Sequence, residues 1–465
     1  MCKKVLTKKQ NTLSTQLSCN VLTRDQHPVS RKLISANALK VLYRLNKGGY
    51  DAYLVGGGVR DILLGLQPKD FDIATNATPE QIKELFRNCR LIGRRFRLAH
   101  IVFGREIIEV ATFRGHHDTA ADNKKNCQKT SKQNEQGMLL RDNIYGNIDE
   151  DAQRRDFTIN AMYYSLKDFT VHDFANGIDD IKKQQIRLIG DPQTRYREDP
   201  VRMLRAIRFA TKLKMTISTE TNAPIKELAP LLESIPPARM FEEFNKLFLS
   251  GKALDNFTLL RSYGLFNHLF PAVEEALKAQ QPGYINDFIV QALSNTDQRV
   301  DEGKRVTPAF LFAALLWYPL QQKIAISHEQ KNLSTQDAFF SALAEIMSEQ
   351  QQRIAVPKRF QAVMKDIWIL QDKLNRREGK RAFKTLEHPK FRAGYDFLLL
   401  RAEIEQPHHG KQLSDLAAWW TDFQQCEAIT QQQMVKVVSS KSSLRRRNPR
   451  KRKKIIDNSE PVSRL

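Results

Sequence analysis

The chain has 465 residues, with 74 Lys+Arg against 52 Asp+Glu and a formal net charge of +22. That length accommodates about two to four domains, and 41% hydrophobic residues suffice for a packed core, which excludes a disordered polymer. The basic excess points to an acidic partner, nucleic acid first, while five scattered cysteines (Cys2, Cys19, Cys89, Cys127, Cys426) spell neither a zinc site nor a disulfide framework and fit a reducing cytoplasm.

Residues 1–28 are polar and read as a mobile leader. Lys3, Lys4, Lys8 and Lys9 are followed by polar residues, not by the apolar core of a signal peptide. Arg31 to Asn46 reads as a helix with Ile34, Ala38, Val41, Leu42 and Leu45 on one stripe, Ser30 as cap and Gly48-Gly49 as its end. Ala52 to Val55 is a short buried strand running into Gly56-Gly57-Gly58, and a helix follows over Val59 to Leu64. Phe71 to Ala74 is a second strand. Thr78-Pro79 opens a helix through Phe86, with Thr78 as N-cap. His100 to Phe103 and Ile107 to Ala111 pair around Gly104-Arg105.

Gly115 to Gly137 is polar and reads as a long loop. Phe157 to Ser165 is expected to be helical, and Phe169 to Asp173 a last strand. Beyond Asp199 the pattern is mostly helical, with apolar stripes in 201–211, 241–249, 255–268, 308–318, 359–373 and 391–404. The longest apolar run, Ala309 to Tyr318, is too short to cross a bilayer. Trp317, Trp368, Trp419 and Trp420 read as core. His116-His117 and His408-His409 are adjacent and make poor metal sites. From Lys436 to Leu465 there are eleven Lys/Arg and two acids, +9 of the total charge. Such a block repels itself and reads as a disordered tail. It suits RNA phosphates, simple solubilisation or a nuclear address.

Two features carry chemistry. Leu54-Val55-Gly56-Gly57-Gly58-Val59-Arg60-Asp61 is a strand, a glycine turn and a helix start, which favours a phosphate against exposed backbone N–H groups. Asp70-Phe71-Asp72 follows. On a strand, residues i and i+2 share a face, so both carboxylates meet while Phe71 turns to the core. Like charges so close call for a cation, and Mg²⁺ takes carboxylates together with substrate phosphates. A solvated acidic turn is the plainer alternative.

The stretch Leu54 to Thr75 resembles the nucleotidyltransferase head shared by bacterial poly(A) polymerases and CCA-adding enzymes. Arg154-Arg155-Asp156-Phe157-Thr158-Ile159-Asn160-Ala161-Met162 resembles that family's second motif, and Glu198-Asp199-Pro200-Val201-Arg202-Met203-Leu204-Arg205-Ala206-Ile207-Arg208-Phe209 its neck motif. The likeness covers about residues 30–425. It implies an α+β fold: a leader (1–28), a head with a small mixed sheet (30–190), a helical neck that recognises the base (195–270), a helical RNA-binding body (271–430) and the basic tail (436–465).

The resemblance also implies roles. Asp70 and Asp72 hold two Mg²⁺ ions, with Mn²⁺ as a substitute, and Gly56, Gly57 and Arg60 attend the ATP phosphates. Arg154 and Arg155 contact phosphate or ribose, unless they pair with Glu150 or Asp151. Asp199 and Arg202 address the base, and Asp199 also reads as an N-cap. A third acid is expected at Asp156, with Glu109 as the alternative.

Leu91 to Ile101, Pro308 to Pro319, Ile354 to Arg359, Gly379 to Phe383 and His388 to Arg392 resemble poly(A) polymerases more than CCA-adding relatives. Lys358, Arg359, Arg376, Arg377, Lys380, Arg381 and Lys384 suit either an RNA track or a solvated helix face. The expected activity is template-free addition of AMP from ATP to RNA 3′ ends, by a cytoplasmic monomer without membrane insertion that serves the RNA-decay machinery. A CCA-adding enzyme, or an RNA-binding protein with a degenerate head, is the alternative.

Overall fold

The computed structural model describes residues 19–93, 97–115, 131–133, 139–142, 144–279, 283–409 and 412–446. The chain divides into two compact units, Met1–Leu247 with Asp255–Leu269, and Phe248–Leu254 with Phe270–Leu465. Both the expected head and most of the expected neck lie in the first.

The first unit is built on a mixed sheet whose strands are β1 (Asn20–Leu22), β2 (Ala52–Val55), β3 (Asp72–Thr75), β4 (Cys89–Ile92), β5 (Leu98–Phe103), β6 (Glu106–Thr112), β9 (Met162–Ser165) and β10 (Val171–Asp173), with β7 (Ser131–Gln133) and β8 (Leu139–Asp142) forming a separate ribbon. The spatial order is β1-β10-β9-β2-β3-β6-β5-β4. Only β3 and β6 pair in parallel; the remaining neighbours are antiparallel. A further parallel pair joins β11 (Gln185–Ile186) to β12 (Thr216–Ile217).

Helices α1 (Ala36–Lys47), α2 (Gly57–Leu63) and α3 (Pro79–Leu85) follow the first strands. Val41, Leu42 and Leu45 of α1 are fully buried in the same cluster as Ile73, Ile101, Val110 and Tyr164 of the sheet. Burial of each large aliphatic side chain there contributes roughly 1.5–3 kcal/mol. Thr78 caps α3 with a reciprocal capping box to Gln81, as its position before Pro79 leads one to expect.

Four expectations need correction. Ser30 caps only a short 3₁₀ turn, Arg31–Leu33; α1 starts later, with Ser35 accepting from the Ala38 N–H. Asn20–Leu22, expected in the leader, adds an edge strand against Val171–Asp173. Phe157–Ser165 is not a helix: a 3₁₀ turn at Thr158–Asn160 leads into β9. All four β9 residues are buried and the strand pairs on both sides, so their apolar run comes from a central strand covered on both faces, which periodicity cannot tell from a buried helix. Last, the expected disordered tail begins as structure, because Ala428–Arg446 is one helix, anchored where Val435 is buried and Met434 packs beside it. Residues 447–465 lie outside the described residues, as do 1–18 and most of the Gly115–Gly137 loop.

The second unit is helical. Trp368 and Trp420 are buried, and their indole N–H groups donate to the carbonyls of Ala313 (3.1 Å) and Leu374 (2.9 Å). Trp317 is buried too, and Trp419 stacks on Phe423, so all four tryptophans serve packing. No single helix among the described residues is long and apolar enough to cross a membrane. The bent pair Pro308–Leu315 and Trp317–Glu329 reaches that composition only across a 47° break.

Candidate active site

The turn after β2 depends on Gly56. Its φ of +67° and ψ of −130° suit a residue without a side chain, and a Cβ there would sit 3.4 Å from an Arg155 guanidinium nitrogen. Helix α2 begins at Gly57, so the turn brings the end of β2 and the start of α2 close to Arg155.

Asp72 opens β3, and the parallel register sets it directly beside Glu109 of β6. Asp70 is exposed in the segment before the strand, so the two acids of the pair do not both lie on it. Asp72 is open to solvent on one side yet surrounded by protein elsewhere. Burial, then the Glu109 charge, push its carboxyl up to about 6; Arg155 acts in the opposite sense and Asp70 adds to the rise. On its other side Glu109 faces His100 of β5, its cross-strand partner, whose Nε2 lies 3.1 Å from a carboxylate oxygen.

Asp72 and Glu109 line a cavity of about 270 Å³. Arg114, Arg154, Arg155, Arg195 and Arg202 line it as well, with the carboxylates of Asp151 and Asp199 among them. Arg154 and Arg155 come from the end of α4 (Ile148–Arg154). Arg155 is held by Asp151 (3.1 Å) and the Tyr163 hydroxyl (2.7 Å). Burial opposes its charge, but Tyr163 and Asp151 keep its pKa above the ordinary arginine value. Arg154 donates to the Gly115 carbonyl.

The neck contributes from α6 (a helix over Pro192–Glu198) and α7 (over Val201–Leu213), which follow α5 (Gly177–Lys182). Asp199 sits between them and takes a two-pronged ion pair from Arg239 (2.8 and 2.7 Å). One Arg202 nitrogen donates to the Arg195 carbonyl (2.6 Å) and to Glu198 (2.9 Å). Arg195 clamps the second motif by donating to the Arg154 and Arg155 carbonyls (2.7 and 2.6 Å). Burial, then Arg202, lower its pKa to about 10.

Of the ten expected site residues, Asp70, Gly56 and Gly57 do not line the cavity, and two more, Arg60 and Asp156, have side chains engaged elsewhere. Arg60 is buried, donating to Asp61 (2.8 and 2.5 Å) and Asn160 (2.6 Å) with its guanidinium over the Phe209 ring. It ties α2 to α7 and is not among the cavity residues. Asp156 is not among them either. One oxygen takes Arg205 Nε (2.6 Å), and the other accepts from the Phe157 N–H (2.8 Å) and Asn160 (3.1 Å). Burial alone would raise its pKa; Arg205, Asn160 and Phe157 together hold it far below the usual carboxylate range.

Arg114, Arg195 and Arg239 were not legible as site residues. The spacing of Arg195, Glu198 and Arg202, three and four apart, was a usable sign of an ion-paired helical face, but nothing local marks Arg114 or Arg239. Arg94, Arg95 and Phe96 lie outside the described residues; of their neighbours, Arg97 pairs with Glu80 and Leu98 lines the cavity.

The Asp72–Glu109 pair fits a hard cation. Asp72 is raised by burial and then by the neighbouring Glu109 carboxylate, and Mg²⁺ is held through one or two carboxylates with substrate phosphates completing its shell. Among the described residues no three His, Cys, Asp or Glu side chains already converge as ligands, so the fit is to such a phosphate-completed site rather than an all-protein cage.

Three family models match: "Poly A polymerase head domain" over residues 52–187, "Probable RNA and SrmB-binding site of polymerase A" over 214–277, and "Polymerase A arginine-rich C-terminus" over 331–454. Poly(A) polymerase I of Salmonella typhimurium is 52% identical over 456 residues, covering 97% of each chain. The chain belongs to the poly(A) polymerase family. It is an enzyme, a polynucleotide adenylyltransferase. The Haemophilus influenzae member of the family is 49% identical over 90% of each chain. The CCA-adding enzyme of Lactobacillus helveticus is 40% identical, but over only 45% of this chain and 49% of its own. Among solved structures, the Bacillus stearothermophilus CCA-adding enzyme in complex with CTP shares the fold, with a TM-score of 0.52 and 24% identity over 82% of this chain and 80% of that one.

Proposed function

We propose that the enzyme adds AMP from ATP to RNA 3′ ends without a template, with the cavity between β3, β6, α4 and the neck as its active site. The observation that carries this reading is one cavity that the neighbouring carboxylates of Asp72 and Glu109 share with five arginines, Arg114, Arg154, Arg155, Arg195 and Arg202. Asp72, with Asp70 beside it and Glu109 as the third acid in preference to Asp156, would hold two Mg²⁺ ions. When bound, Mg²⁺ neutralises the triphosphate and makes the RNA 3′-hydroxyl easier to ionise.

The chain's own residues supply positioning and charge. Gly56 and Gly57 leave room for the phosphates beside Arg155, and Arg154 and Arg155 face them. Arg60 acts at one remove, by fixing α2. Asp199 accepts from an exocyclic amine of the base and Arg202 donates to the neighbouring ring nitrogen. Adenine and cytosine share that donor–acceptor pair, so the choice of ATP rests on the size of the space rather than on the pair alone. The Arg239 clamp keeps Asp199 in one orientation. The tails mark RNA for decay, and the enzyme works as a cytoplasmic monomer alongside the decay machinery.

Purified protein, a short RNA and each labelled NTP test the reading. Long tails from ATP alone are expected. Use of CTP followed by arrest after three additions would instead establish a CCA-adding enzyme, and full activity in Asp72→Asn would end the metal-site assignment.

A further inference from the structure

The 3₁₀ turn Thr158–Asn160, which stands where a helix was expected, folds Asn160 back onto Asp156, four residues earlier. The Asn160 residue is only 6% exposed, so both ends of its amide need partners. Its Oδ1 accepts from Arg60 (2.6 Å), a group that can only donate, and its Nδ2 donates to the Asp156 carboxylate (3.1 Å), a group that can only accept. Its backbone carbonyl also accepts from Arg155 (3.4 Å), the arginine beside the glycine turn. Aspartate in this place would set one carboxylate against another, and leucine would leave both partners unanswered.

These bonds form one buried chain between two helices. Arg60 belongs to α2, which starts at Gly57 of the glycine turn, and Asp156 takes Arg205 of α7 on its other oxygen (2.6 Å). Arg205 lies about one turn beyond Arg202 on the same helix. The Arg60 and Arg205 guanidiniums also meet on one ring, 5.1 and 5.4 Å from the centre of Phe209. A second tie between the helices, Lys212 to Asp61 (3.2 Å), has a half-exposed lysine and contributes less. On the proposed mechanism the triphosphate occupies one end of this chain and the base the other. ATP joins them through a ribose of fixed reach, so both ends are filled at once only when α2 and α7 stand in register.

We infer that Asn160 is a positioning residue for the nucleotide: its amide holds the glycine turn and the Asp199–Arg202 pair at the spacing of one ATP molecule. The inference rests on the adenylyltransferase reading for which part of the nucleotide each end receives. Asn160 acts through Arg60 and Asp156 rather than on the nucleotide itself. Its loss therefore weakens ligands that span both ends and spares fragments that fill only one.

The test uses the full-length protein and calorimetric titration with ATP, inorganic tripolyphosphate and adenosine, each with Mg²⁺, on variants that circular dichroism shows to be folded. Asn160→Ala should weaken ATP binding by about tenfold or more while tripolyphosphate and adenosine stay within about twofold of wild type. Asn160→Asp keeps the acceptor for Arg60 but repels Asp156, and should show the same selective loss. The reciprocal exchange Asp156→Asn/Asn160→Asp restores a donor facing an acceptor at unchanged net charge, and should bind ATP more tightly than Asn160→Asp alone. Leu45→Ala, which opens a hole in the core beneath α1 and outside the cavity lining, is the stability control: its unfolding midpoint should fall while all three ligands bind as in wild type. Parallel loss of all three ligands in Asn160→Ala would mean a damaged site rather than a lost register and would overturn the inference. So would undiminished ATP binding in both single variants, or the same selective loss in Leu45→Ala. Template-free AMP addition by the wild-type protein is scored separately. Its absence, with ATP still bound, refutes the enzymatic reading alone; its presence, with ATP bound normally by the Asn160 variants, refutes the register alone.

Discussion

Replacing Asp156 by alanine distinguishes a carboxylate that reacts from one that holds the structure together. Its two oxygens are fully engaged, by Arg205 on one side and by the Phe157 N–H and Asn160 on the other. The side chains of Asp156 and Arg205 are 13% and 30% exposed. Removing one member of a buried pair costs about 3–5 kcal/mol, because the other charge is left uncompensated. Arg205 retains some solvent, so the lower end applies, about 3 kcal/mol. At about 2–4 °C per kcal/mol for a domain of this size, the midpoint of thermal unfolding should fall by roughly 6–12 °C. Asp156→Asn, which keeps an acceptor for the Phe157 N–H, should lose less. The folded pKa is depressed, so the pair's contribution is present above the unfolded value near 4 and is lost as pH falls below it. The gap between wild type and Asp156→Asn should therefore be constant from about pH 5 to 7 and narrow below pH 4. The assay is unfolding followed by circular dichroism, paired with AMP addition measured well below the variant's midpoint. Unaltered stability together with a hundredfold loss of activity would refute the structural role and return Asp156 to the reaction.

Three further outcomes concern Asp72 and the surroundings of Arg155. Asp72, raised to about 6, favours the fold only while protonated: that contribution is present below about pH 4 and lost as pH rises through 6. Mn²⁺ binding followed by electron paramagnetic resonance should accordingly weaken up to tenfold per unit below pH 6, and Asp72→Asn should flatten that dependence. Gly56→Ala forces a side chain into a positive-φ, extended-ψ conformation at a cost of about 1–3 kcal/mol; with Arg155 displaced, KM for ATP should rise more than kcat falls in steady-state kinetics. Tyr163→Phe removes the hydroxyl that links Asp151 (2.6 Å) to Arg155 (2.7 Å). About 1–3 kcal/mol of stability should be lost in urea titration, with weaker ATP binding as Arg155 loosens.

The division between what was legible and what was not follows the range of the interactions. By itself the sequence determined the local devices: the capped helix at Thr78-Pro79, the β2–glycine turn–α2 unit, the hairpin at Gly104, the helical second half, and the acidic and arginine-rich motifs that mark the family. Each rests on residues within a few positions of one another, where backbone preference and side-chain period decide the outcome. Tertiary structure alone decided which charges meet. The parallel pairing of β3 with β6 makes Glu109 the neighbour of Asp72, although 37 residues separate them. Asp156 is claimed by Arg205, 49 residues on, and Asp199 by Arg239, 40 residues on. Arg60 is turned inward by Asn160, 100 residues away. A motif supplies a charged group, but its role depends on whether folding leaves that group facing a cavity or sets an opposite charge against it, and the long-range strand register and helix packing that settle this have no local period to read.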